Sequence, residues 1–196
     1  RWATMEGYVN IDSLHLINNQ KEFFLNQLLL KAENDSITAA SIESDIINGG
    51  ITGQYTLSAL ADNFIDIASK SMPILSQYKK ENNKTNDITC ILSVEPLKQL
   101  MQTIEMPWYT TEPSSVYAHL NSITNEIDAE IYVPNLSNGK LNIDSINLKI
   151  DNKTNDEISV ALSAATDLKR SHLNASLNLE AINDQITTSV SWDNNN

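Results

Sequence analysis

Through most of this chain apolar residues recur at every second position, the spacing of strands with one covered face. This alternation runs from Gly7 to Leu57. Within "FFLNQLLLKA" it puts Phe24, Leu28 and Leu30 on one side and Phe23, Leu25 and Leu29 on the other, so both faces of that strand are expected to be covered. Asn48-Gly49-Gly50 predicts a turn, because glycine tolerates positive φ, followed by a strand carrying Ile51, Tyr55 and Leu57. At Ser58 the period changes. Leu60, Phe64, Ile67 and Ala68 repeat at helical spacing and predict an amphipathic helix that ends or kinks at Pro73, before a short turn with Ile74, Leu75 and Tyr78. "DITCILSV" predicts a strand. "EPLKQLMQTI" predicts a short helix with Pro96 at its first position and an apolar stripe of Leu97, Leu100, Met101 and Ile104. A two-proline connector follows, with Trp108 as an anchor on the core. From Val116 to Trp192 strand alternation returns, as in "EIDAEIYV", "HLNASLNLE" and "ITTSVSW".

Two octets stand out, "VNIDSLHL" at Val9 to Leu16 and "LNIDSINL" at Leu141 to Leu148. In both the alternation slips by one residue: Val9 and Ile11 are followed by Leu14 and Leu16, and Leu141 and Ile143 by Ile146 and Leu148. Spacing of two, three, two predicts a bulge or tight bend at Asp12-Ser13 and at Asp144-Ser145. Each octet is followed by polar turns and further strands, so the chain divides into a first strand unit (1–57), a helical insertion with one strand and linkers (58–115) and a second strand unit (116–196). Repeated antiparallel units bury apolar surface mainly against their neighbours, and an elongated sheet of this kind must curl or be covered. The expected class is mainly β, an elongated, curled antiparallel repeat sheet with a helical insertion of two short amphipathic helices. Curled without closing, its inner face is an apolar trough. Capped by the helices, it is an ordinary core.

Charge narrows the partners. The formal net charge is −12, with only Lys79-Lys80 and Lys169-Arg170 as adjacent basic pairs, which leaves no basic stripe for nucleic acid. Cys90 is the single cysteine, so there is no internal disulfide and no thiolate metal site, and its place in "ITCILSV" predicts a small buried hydrophobe. His15, His119 and His172 stand singly, none at ligand spacing with another, and no nucleophile elbow, phosphate loop or dinucleotide fingerprint occurs. No catalytic residue, metal or cofactor is therefore expected. The chain starts at Arg1 with neither a methionine nor an apolar signal region, and it is expected to be an excised piece or a processed product.

The runs "GYVNIDSLHLINNQKEFFLNQLLLKAEN", "INGGITGQYTLSALADNF" and "IYVPNLSNGKLNIDSINLKI" together resemble the TamB family, the translocation and assembly module subunits of Gram-negative bacteria, related to AsmA-like bridge-type lipid transport proteins. The resemblance covers most of the chain and lies in a pattern of strands and turns. It implies an internal, periplasmic segment of a protein anchored in the inner membrane outside this segment, with an open β-taco-like groove lined by apolar residues. The implied role is phospholipid transport to the outer membrane and protein assembly there. The implied partners are phospholipid acyl chains, an outer-membrane β-barrel protein and nascent outer-membrane proteins. The helical insertion departs from a plain strand repeat and leaves open whether the groove is plugged. The greasy strand faces supply candidate groove positions: Leu28, Leu30, Ile127, Ile131, Val133, Leu173, Leu177 and Leu179. The other reading of the same pattern is an adhesin-like or scaffolding β-solenoid module with a sealed core.

Overall fold

The computed structural model describes residues 6–34, 38–80, 84–154, 156–168 and 171–195. Their alternation produces strands β1 (Gly7–Asn18), β2 (Lys21–Asn34), β3 (Thr38–Ser44), β4 (Ile47–Gln54), β5 (Asp87–Val94), β6 (Tyr109–Thr110), β7 (Ser114–Asn121), β8 (Glu126–Ser137), β9 (Asn142–Thr154), β10 (Glu157–Leu168), β11 (Ser171–Ile182) and β12 (Gln185–Asn195). All belong to one antiparallel sheet in chain order, except that β6 pairs with β8 beyond the end of β7. The sheet is not closed: among the described residues β1 and β12 have one neighbour each.

Among the described residues two α-helices interrupt this meander. Helix α1 (Leu60–Ser71) lies between β4 and β5 in the chain, and α2 (Lys98–Thr103) between β5 and β6. Pro73 ends α1 as expected, and a 3-10 turn over Pro73–Tyr78 follows it. Outward-facing carboxylates on α1 meet the basic pair beyond that turn, Asp66 with Lys79 at 3.3 Å and Asp62 with Lys80 at 4.0 Å.

The slip in both octets is a backbone feature. Ser13 and Ser145 have φ of 79° and 52°. A left-handed residue within a strand re-aims the side chains beyond it, which lets apolar residues spaced three apart stay on one face. The partners slip at the same level: Leu30 and Leu28, then Leu25 and Phe23, pair with Val9, Ile11, Leu14 and Leu16.

Several expectations fail for local reasons, and β4 ends at Gln54, short of the Tyr55 and Leu57 expected on it. Phe23 and Leu25 are buried, but Phe24 is 53% exposed and stacks on the His15 ring at 3.9 Å, so only one face of β2 is well covered. Asn48-Gly49-Gly50 lies inside β4 and makes no turn. The reversal comes earlier, where Ser44 Oγ accepts the Ile46 and Ile47 amides and Asn48 Nδ2 donates to the Ser44 carbonyl. Gly49 is required by close approach: a Cβ there would stand 2.0 Å from the Ile91 carbonyl oxygen. Finally, Pro96 precedes α2 without entering it. The Leu97 amide donates to Thr110 Oγ1, which ties Leu97 to β6, and helical geometry begins at Lys98.

Helix α1 also reports the curvature. At its start, Asn63 Oδ1 accepts Asn86 Nδ2 at the head of β5. At its end the Ser71 carbonyl accepts the Asp184 amide in the β11–β12 turn at 3.0 Å, and Asp184 accepts the Ile74 amide. Five interstrand steps separate β5 from β11, about 24 Å along a flat sheet. Asn63 and Ser71 are about 12 Å apart along the helix. Even with the bonded side chain spanning a few Å, the strands must bend toward the helix to be joined by it.

Candidate functional site

Directly paired residues of neighbouring strands point to the same side, so register alone traces rows across the sheet. One row crosses every strand of the main path: Val9, Leu30, Ile42, Gly49, Leu92, Val116, Ile131, Leu148, Leu162, Leu177 and Val190. Each of these positions is apolar or glycine. None is fully covered: Ile131 is 36% exposed, Leu162 37% and Val190 62%.

Two residues along each strand, on the same side, runs a second row, and its central part is built from small residues. Ala40, Ile51, Cys90, Ala118, Ala129, Ile150 and Val160 are paired in succession. Helix α1 lies over this part. Between them is a cavity of about 390 Å³, with Leu60, Ala61 and Phe64 of the helix above and Cys90, Ala118 and Ala129 among the strand residues below. Ile67 and Ala68 are buried on the seated side of α1, and Phe64 is half exposed. Cys90 is only partly buried, against the expectation of a buried residue, and burial pushes its thiol pKa up from the ordinary value.

Helix α2 lies at the opposite ends of the strands, against β1 and β2. Asn18 Nδ2 donates to the Thr103 carbonyl at 2.9 Å, Gln99 Nε2 to the Glu22 carbonyl at 3.0 Å, and Asn19 Nδ2 to Glu105 at 3.1 Å. The continuous row therefore runs across the sheet between one helix and the contacts of the other.

Of the candidate positions, Leu30, Ile131 and Leu177 stand in the continuous row, and Leu179 in the row beside it. Leu28 pairs with Ile11 and Ser44, and Val133 with Ile146, one step toward the α2 end. Leu173 lies farther that way, paired with Thr166 and Asn194. Ile127 is apart from these: it is 7% exposed and lines the cavity under α1. Sequence reasoning did not single out Leu92, Val116, Leu148, Leu162 or Val190. Their alternation was visible, but without registers nothing aligned them with Leu30.

The histidines are engaged singly. His15 meets Glu22 at 3.2 Å, His119 meets Asp87 at 3.2 Å and His172 meets Asp167 at 2.7 Å. Among the described residues no group of three or more His, Cys, Asp or Glu is placed to hold a metal ion, and no helix is long and apolar enough to cross a membrane. No protein-family profile, curated protein or solved structure matches this chain.

Proposed function

We propose that this chain is a non-enzymatic, lipid-carrying segment of a periplasmic envelope protein, the role that its resemblance to the TamB family implies. The observation that carries the reading is the row of eleven apolar or glycine positions that crosses the main path of the sheet and stays accessible along its length. An acyl chain in water costs about 0.8 kcal/mol per methylene, so a long chain leaving a membrane faces roughly 10 kcal/mol or more. A trough that covers the chain and leaves the headgroup in water removes most of that cost without a reacting group. The scaffold reading needs a sealed core, and the exposure of Ile131, Leu162 and Val190 speaks against it.

The reading is tested by a photo-crosslinking residue at Leu177, with an outward control at Asn178, in the intact protein in cells. Phospholipid adducts at position 177 alone are expected. Equal adducts at both positions, or none in a folded protein, would remove the lipid path.

A further inference from the structure

We infer that the cavity beneath α1 is a seat for the end of a single alkyl chain, a side pocket off the trough with Cys90 in its floor. This rests on the reading of the trough as a lipid path and names where one tail stops.

This cavity holds about 390 Å³, within the roughly 300–1,000 Å³ typical of ligand pockets. It exists because the row beneath α1 narrows to Cys90, Ala118 and Ala129, where the adjoining positions of the same strands are Leu92, Val116 and Ile131. The lining presents no set of polar groups that could fix a headgroup. His119 is its one ionisable residue besides Cys90, and its imidazole is held by Asp87. The pocket opens to solvent, with Phe64 half exposed at its wall, so an alkyl chain entering it would displace water from almost wholly apolar surface. Ala118 and Ala129 lie two residues from Val116 and Ile131, about 7 Å along the strands, so the pocket adjoins the continuous row. An amphiphile lying in that row has its polar end in water, and only its hydrocarbon end matches these walls.

The single cysteine reports occupancy without any substitution. Alkylation of Cys90 by N-ethylmaleimide is timed at fixed pH, alone, with monomeric palmitoyl lysophosphatidylcholine, and with glycerophosphocholine, which has the same headgroup and no tail. At about ten times its Kd the lysolipid is expected to slow alkylation about tenfold. Glycerophosphocholine is expected to leave the rate unchanged. In Ala129→Phe, which fills the cavity, the lysolipid no longer changes the rate, while crosslinking of lipid at position 177 persists. Ala129→Leu serves the same purpose if the larger side chain unfolds the protein. No protection of Cys90 while position 177 still takes lipid overturns the pocket and leaves the trough standing. Protection that survives both Ala129 variants puts the lipid elsewhere and also overturns it. Absence of lipid at both places ends both readings.

Discussion

The two octets make the same bend in different company. Ser13 lies on an outer strand whose described neighbour is β2, and pairing keeps one register from Gly7 opposite Ala32 to Asn18 opposite Lys21. Ser145 lies between two strands. Its strand keeps register with β8 through Val133–Ile146 and Asn135–Asp144, but shifts by one against β10 between Ser163 and Ala165. The bend is thus local to the eight letters, whereas a register shift accompanies it only where a second neighbouring strand is present. Support differs too. Opposite Ser13, Asp45 accepts both the backbone amide and the side-chain amide of Asn26 at 2.7 Å. Beside Ser145, Asn135 donates to Asp144 at 2.6 Å and accepts from Thr111 at 2.8 Å.

Substitution with isoleucine should separate the two sites most. A β-branched residue resists positive φ, and strain of this type is worth about 1–3 kcal/mol. Ser145→Ile, held on both sides, is expected near the upper end, and Ser13→Ile, free to relax on one side, near the lower, as measured by urea denaturation. Equal losses would show that the neighbours do not matter. Asp45→Ala should remove about 1 kcal/mol through the lost bonds to Asn26. In a double-mutant cycle that loss should shrink in the Ser13→Ile background and remain whole in the Ser145→Ile background.

Glycine tests the part that the octets share. Ser13→Gly and Ser145→Gly each relieve left-handed strain and loosen the unfolded chain, for a net gain of about 0.5 kcal/mol. The two gains should be equal, because neither term depends on the neighbouring strand.

The smallest effect concerns pH and involves Asp144 of the second octet. His172 is held above its ordinary value of 6.5, chiefly by the hydrogen bond to Asp167, with the charge of Asp144 adding to it. Its contribution to stability is complete below the unfolded value of 6.5 and is lost as pH rises through the higher folded value. Titration by NMR should show the His172 midpoint falling part-way toward 6.5 in Asp144→Asn and farther in Asp167→Asn.

The bends were legible because spacing of two, three, two has few geometric solutions, and the strands and α1 because their periods run for many residues. What stayed hidden depended on neighbours. Gly49 reads as a turn residue until Ile91 is known to pass over it. Phe24 reads as covered until its partner proves to be His15. Pro96 reads as the first residue of a helix until Thr110 is seen to claim the next amide. The same limit applied to the site. Alternation placed Leu30, Ile131 and Leu177 on greasy faces, but their membership in one row needed eight registers, and the burial of Ile127 needed the position of α1.

The bond between Ile74 and Asp184 joins residues 110 positions apart. Nearly every other pairing in this sheet is between consecutive strands, so hairpins can form one after another with little loop entropy to overcome. The tie from α1 to the β11–β12 turn cannot form until both regions have emerged and the intervening strands are in place. The tie is therefore expected to be among the last contacts to form, after the strands between the two regions have paired. A substitution at Asp184 should accordingly speed unfolding while leaving the initial rate of strand formation nearly unchanged.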